Sequence, residues 1–106
     1  MHRLFPEKLV NIITTDVLED RLVALLRSRG ASGYTIVRAR GAGSSGEQSG
    51  MLSIDTNIKL HVIIPVERLS GLLDDLDALM RKGYHLTVYV SDVAVLGPEK
   101  YEAPLG

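Results

Sequence analysis

Three groups of residues in this chain are of types that do chemistry: a glycine–serine run flanked by cations, three histidines, and an aspartate cluster. The run Gly41-Ala42-Gly43-Ser44-Ser45-Gly46-Glu47-Gln48-Ser49-Gly50 follows Arg38 and Arg40, and Lys59 comes after it. Successive backbone N–H groups in a glycine–serine turn can form a concave anion-binding nest. Glycine also lets the backbone come close to a phosphate, because no side chain intervenes. Gly41-x-Gly43 follows a β-prone stretch, as phosphate-binding glycines do. It lacks the third glycine of a dinucleotide fingerprint and the lysine of a P-loop, and no helical pattern follows it. On pattern alone, a plain flexible hairpin and an anion nest both stay open.

The loop serines and the histidines His2, His61 and His85 raise the question of a nucleophile beside a base. No spacing brings a histidine next to a serine. His2 lies on a tail, His61 alternates within a strand and His85 opens another, so the simplest reading is strand and edge histidines without chemistry. They also lack the spacing of a zinc site. Asp74, Asp75 and Asp77 share a helical stretch with Arg81 and Lys82, which reads as a solvated helix face rather than a metal site. With no cysteine in the chain, disulfides, thiolate metal sites and cysteine nucleophiles are excluded.

These residues need a frame. The chain has 106 residues, the length of one domain, and its hydrophobic fraction of 45% can fill a core. A domain this small buries a modest share of its surface, so association would help its stability. Twelve basic against thirteen acidic side chains leave a formal net charge of -1, which supplies no global field for nucleic acid or anionic lipid. No apolar run reaches membrane-spanning length, and the first residues do not read as a signal peptide. The expected location is cytoplasmic.

Apolar periodicity then sets the elements. Lys8–Thr14 reads as a buried strand. Thr15-Asp16 caps a helix, with Glu19 three residues after Asp16 as its reciprocal partner, and Val17, Leu18, Leu22, Leu25 and Leu26 form its apolar stripe up to Gly30. Tyr34–Arg40 and Asn57–Ile64 read as strands, the second alternating cleanly. Glu67–Lys82 is a second amphipathic helix with Leu69, Leu72, Leu73, Leu76, Leu79 and Met80 inward, stopped by Gly83. His85–Leu96 is the last strand, with a bend expected near Ser91-Asp92. The order β-α-β-β-α-β predicts an α+β, ferredoxin-like fold: a four-stranded antiparallel sheet with two helices on one face and a long loop between strands 2 and 3. The second sheet face is left uncovered, with Ile63, Val88 and Val90 as outward candidates, and this predicts self-association.

Within that frame, Gly30-Ala31-Ser32-Gly33-Tyr34-Thr35-Ile36-Val37 followed by Gly41-Ala42-Gly43 resembles the G-x-T-G-[MY]-T-V segment and G-x-G start of the loop in the PII signal-transduction superfamily. Lys59-Leu60-His61-Val62-Ile63-Ile64-Pro65 is similar to that family's K-[VI]-E-[IV]-V-V-P strand. Tyr89-Val90-Ser91-Asp92-Val93-Ala94 is similar to its F-V-F-D-V-A segment. Together the matches span almost the whole chain as a single domain, residues 1–106. The resemblance implies a homotrimer, an adenine-nucleotide site in each cleft between subunits, and a loop of about residues 41–56 that reports the ligand state to a membrane transporter or enzyme.

The departures carry information too. No tyrosine lies between Arg40 and Thr56, so control by tyrosine uridylylation is not expected. The stretch Gly83-Tyr84-His85-Leu86-Thr87 lacks the phosphate-binding lysine of the family's G-D-G-K loop, and Pro98 and Lys100 stand at its two terminal arginines. Fewer cations at the phosphate end weaken the most anionic ligand most. ADP or AMP is therefore expected over ATP, and sensing of ATP with 2-oxoglutarate and magnesium is disfavoured.

Ser45–Gly50 and Ser53–Lys59 resemble the PII-like branch associated with bicarbonate transporters and carboxysomes, although the paired terminal cysteines of some members are absent. By this resemblance Thr35 contacts base or ribose. The backbone of Gly41, Ala42, Gly43, Ser44 and Ser45 wraps phosphate. Val62 and Ile63 flank adenine, and Leu86 approaches from a neighbouring strand or subunit. Arg40, Lys59 and Lys100 supply charge.

Bicarbonate is expected at Arg40, Ser44, Ser45 and Gly46, with no metal and no catalytic residue. The implied role is a non-enzymatic regulator of inorganic-carbon uptake, working peripherally at the inner membrane through a transporter. The alternatives are a nucleotide-free trimeric module of the metal-tolerance type, an ammonium-type PII regulator of nitrogen metabolism, and, least favoured, a small hydrolase.

Overall fold

The computed structural model describes residues 2–31, 33–40 and 57–97. The chain runs β1 (Leu4–Thr15), a 3-10 turn (Asp16–Leu18), α1 (Glu19–Ser28), β2 (Thr35–Ala39), β3 (Asn57–Ile64), α2 (Val66–Arg81) and β4 (Thr87–Leu96). The strands form one sheet in the order β2-β3-β1-β4, every neighbouring pair antiparallel. This is the ferredoxin-like arrangement expected from the element order.

The register divides the sheet into two faces. Val10 and Ile12 of β1 and Ile58, Leu60, Val62 and Ile64 of β3 alternate onto the helix side. There they meet Leu18, Leu22 and Leu26 on one helix and Leu72, Leu76 and Leu79 on the other. Each such side chain removed from water contributes roughly 1.5–3 kcal/mol, so this layer is the main stabilising term of the fold.

The structure revises several sequence expectations. β1 starts at Leu4 rather than Lys8, because Leu4–Glu7 pair with Leu96–Val93 of the long β4. Of the expected Thr15-Asp16 cap, Thr15 supplies the side chain, its Oγ1 accepting from the Val17 N–H at 3.4 Å, and α1 itself starts without a side-chain cap from Asp16 or Glu19. Val17, inside the 3-10 turn and about 180° from Leu26 at helical spacing, faces water at 81% exposure instead of joining the stripe, and Met80 lies on the rim of the other stripe at 44%. Val88 and Val90 are not on the uncovered face. They pair with Ile12 and Val10, both core residues, and so lie on the helix side.

Both helices end in the same way. After α1, Gly30 N–H donates to the Arg27 carbonyl and Ala31 N–H to Leu26; after α2, Gly83 donates to Met80 and Tyr84 to Leu79. This Schellman pattern needs a left-handed residue at each stop, and φ is +84° at Gly30 and +103° at Gly83.

The first stop has a second function. A Cβ at Gly30 would fall 2.2 Å from Arg68 Nη1, and one at Gly71 would fall 2.7 Å from Arg29 Nη1. Each guanidinium thus lies over a glycine of the other helix. Arg68 Nη1 donates to the Arg29 carbonyl at 3.3 Å. Arg29 Nε and Nη2 donate to Asp75 at 2.6 and 2.9 Å, which clamps the two helices together. Asp77 accepts from Arg81 one helical turn on at 2.7 Å. Asp75 and Asp77 are therefore ion-paired, and Asp74 is exposed beside them. The hydrogen bond from Arg29 holds the Asp75 carboxyl below the usual carboxylate range.

Gly30→Ala and Gly83→Ala both incur left-handed strain of about 1–2 kcal/mol, but only the first also displaces a guanidinium. Urea unfolding should show Gly30→Ala as the more destabilised variant. Because Asp75 has a depressed folded pKa, its pairing contributes stability above the ordinary carboxylate value of about 3.9 and loses it as pH falls through the lower folded value. The stability difference between wild type and Asp75→Asn should therefore be constant from pH 7 to 5 and shrink towards pH 2 in urea melts.

Candidate functional site

With two helices on one side, the other side of the sheet has no element packed on it among the described residues. Alternation places Leu9, Asn11 and Ile13 of β1, Thr35, Val37 and Ala39 of β2, Asn57, Lys59, His61 and Ile63 of β3, and Thr87, Tyr89 and Ser91 of β4 on this open face. The register aligns them in transverse rows. One row reads Ile63–Leu9–Ser91, the next Thr35–His61–Asn11–Tyr89, and the next Val37–Lys59–Ile13–Thr87.

Three sequence-predicted site residues, Thr35, Lys59 and Ile63, meet on this face. Thr35 is directly opposite His61, and Lys59 and Ile63 flank His61 along β3. Residues paired in this way have Cβ atoms about 5 Å apart, so the group is contiguous. The Lys59 ammonium reaches across β1 to lie 5.7 Å from the centre of the Tyr89 ring, a cation–π contact that holds its charge over the open face. Ala39 pairs with Asn57 at one end of the sheet, so the chain leaves β2 and returns to β3 at the same point. Arg40 is exposed there, one residue past β2.

Two predicted residues do not join the group. Val62 has 0% exposure and Leu86 7%, and both side chains belong to the hydrophobic core on the helix side. Alternation sends Val62 away from Ile63, so of the two residues expected to flank a base only Ile63 presents a side chain to the open face. Leu86 precedes β4, anchored where Thr14 Oγ1 donates to the His85 carbonyl at 2.8 Å. β4 and β2 are opposite edges of the sheet, with β3 and β1 between them. An approach of Leu86 from a neighbouring strand of the same chain is thereby ruled out. Gly41, Ala42, Gly43, Ser44, Ser45, Gly46 and Lys100 lie outside the described residues.

His61 is the residue that sequence reasoning misses. As a lone strand histidine it carries no signal of chemistry, yet it is at the centre of the predicted group, between Thr35 and Asn11. The alternation of β3 is the clue, since it puts His61 on the same face as Lys59 and Ile63. A surface cavity of about 510 Å³ lies elsewhere, on the helix side, lined by Ser28, Arg29, Glu67, Arg68 and Gly71. Its cationic walls are engaged in the helix clamp, with Arg29 bound to Asp75 and Arg68 to the Arg29 carbonyl.

Solved structures of other proteins share this geometry, although no curated protein matches the chain. A structure from Thermus thermophilus, described as a PII-like signalling protein, is 38% identical, with 93% of this chain and 98% of that chain covered and a TM-score of 0.76. The structure of CPII from Thiomonas intermedia bound to ADP and bicarbonate is 31% identical, covering 94% and 98%, with a TM-score of 0.81. CPII bound to ADP, AMP and bicarbonate, and described as a nitrogen regulatory PII-like protein, aligns at 28% identity over 91% and 99%, with a TM-score of 0.77. The family model for nitrogen regulatory protein P-II matches residues 7–100. With nearly its whole length matched to that model and its sheet order and helices in agreement, the chain belongs to the P-II family, in company with the PII-like proteins.

Proposed function

We propose that this protein is a homotrimeric, non-enzymatic PII-like sensor that binds ADP or AMP in preference to ATP, takes bicarbonate beside the nucleotide, and regulates inorganic-carbon uptake from the cytoplasm. The observation that carries the ligand assignment is the likeness to CPII, whose structure holds ADP and bicarbonate at 31% identity to this chain. The geometry supports the assembly. The open face presents Val37 and Tyr89 exposed and Leu9, Ile13 and Ile63 half-buried, with no element packed over them among the described residues.

Opposite-edge placement supports a shared site. Thr35, Arg40, Lys59 and Ile63 come from the β2–β3 side of one copy. The main chain at Leu86, and Lys100 beyond β4, come from the next copy. Val62 contributes main chain only, since its side chain is in the core. The backbone of residues 41–45 takes the phosphates, and Arg40, Ser44, Ser45 and Gly46 take bicarbonate. Loop 41–56 then couples ligand state to a transporter at the membrane.

The preference for smaller adenylates follows from charge. Lys59 and Arg40 are the cations of the proposed site among the described residues, and Lys59 already rests on Tyr89. With Lys100 the proposed site has three cations, and it lacks the lysine of the G-D-G-K loop and the two terminal arginines, a loss that weakens the most anionic ligand most. Calorimetry should give tighter binding of ADP and AMP than of ATP. Bicarbonate should strengthen ADP binding, whereas 2-oxoglutarate with magnesium and ATP should add nothing. Absence of adenylate binding at millimolar ligand contradicts the reading. Lys59→Ala removes one charge-assisted contact and should weaken ADP binding about tenfold or more, with AMP affected less.

A further inference from the structure

Lys59 stands on the open face between Val37 of β2 and Ile13 of β1. A lysine there can extend over either flank, and this one takes the β1 side, with its ammonium 5.7 Å from the centre of the Tyr89 ring. Tyr89 belongs to β4, two strand spacings or about 10 Å from β3. It pairs with Asn11, in the row of His61, and so lies two residues further than Lys59 from the end of the sheet where Ala39 meets Asn57. Both displacements draw the charge away from Arg40, where the chain leaves β2.

The hold on the ammonium is weak. Among the described residues the Lys59 side chain has no ion pair and no hydrogen bond. Arg21 makes the contrast: it lies 5.3 Å over the Tyr84 ring and also donates to the Tyr84 hydroxyl at 3.2 Å. Tyr89 is 42% exposed and Lys59 half-buried, so the contact is made in partial water. A cation–π pair there is worth a factor of about two to five. A charge-assisted hydrogen bond to a phosphate oxygen is worth about tenfold or more. A phosphate bound at the loop end of β2 and β3 therefore takes the ammonium from the ring, and its own affinity falls by the factor that the ring contact was worth.

We propose that Tyr89 is a positioning residue for the nucleotide site: its ring competes with ligand phosphate for the Lys59 ammonium and holds that charge back from the loop end of the sheet. This rests on the adenylate reading above, in which Lys59 meets phosphate. It adds a cost that falls only on ligands that recruit the lysine, so that adenosine, which has no phosphate, leaves Lys59 on the ring.

Calorimetry with ADP on the full chain tests the proposal in wild type, Tyr89→Leu, Tyr89→Phe, and Lys59→Ala with and without Tyr89→Leu. Tyr89→Leu should bind ADP about two- to fivefold more tightly than wild type. Tyr89→Phe keeps the ring and should restore the wild-type affinity. On the Lys59→Ala background, Tyr89→Leu should change nothing. Proton NMR of wild type supplies a readout that needs no variant: the ring face should shift the Lys59 Hε resonances upfield, ADP should return them downfield, and adenosine should not. Equal or weaker ADP binding by Tyr89→Leu overturns the proposal. So does the same gain on the Lys59→Ala background, which assigns the effect to something other than the lysine. Hε resonances that stay upfield at saturating ADP overturn it and leave the adenylate reading standing. Wild type that binds no ADP overturns that reading, and the role of Tyr89 with it.

Discussion

Two helices cover one face of the four-stranded sheet and leave the other with no element packed on it among the described residues. That constraint shapes most of this molecule. The inner face presents Val10, Ile12, Ile58, Leu60, Val62 and Ile64, each at most 3% exposed, to the leucines of α1 and α2. The helix layer is locked by Arg29, Arg68 and Asp75 across the glycines at 30 and 71. The outer face carries an apolar field crossed by a polar row, with a lysine held over a tyrosine ring. A surface of that kind is costly to leave in water, and it is equally costly to bury unless its polar groups are matched.

The antiparallel register turns the same constraint into a functional one. Because β2 and β4 are the outer strands, chemistry contributed by residues after β2 and chemistry contributed by residues around β4 are separated by two strands in one chain. The proposal places the two edges of one site on different copies for that reason. Membership of the P-II family, with CPII holding ADP and bicarbonate at 31% identity, gives the ligand class for which such a shared site is proposed.

The fold is legible in the sequence where its signals are local and periodic. β3 reads from Asn57 to Ile64 and is found there, since its alternation is uninterrupted. Gly30 and Gly83 mark both helix stops through a conformation that few other residues adopt. The sequence misleads where a neighbour decides. Leu4–Glu7 are strand only because β4 is long enough to pair with them, and the faces of Val88 and Val90 depend on register with β1. Val17 lies in the short 3-10 turn, about 180° from Leu26 at helical spacing, and stays in water. Of the proposed site, Thr35, Lys59 and Ile63 are legible and share a face, because strand alternation fixes them. A ligand-facing side chain at Val62 goes against that same alternation, and Leu86 has its side chain in the core. His61 has no spacing to announce it, and its place is visible only once Thr35 and Asn11 are set on either side of it.

The central claim of the proposal is a nucleotide site shared between copies. Co-assembly of Arg40→Ala chains with Lys100→Ala chains tests it directly, because Arg40 follows β2 and Lys100 follows β4 in the sequence, and β2 and β4 are the opposite edges of the sheet. Each variant alone should bind ADP weakly. Random mixing in a head-to-tail ring should restore wild-type affinity at about a quarter of the sites, visible as a tight phase in an ADP titration of the mixture. A mixture that binds only as weakly as its two parents would contradict the shared site.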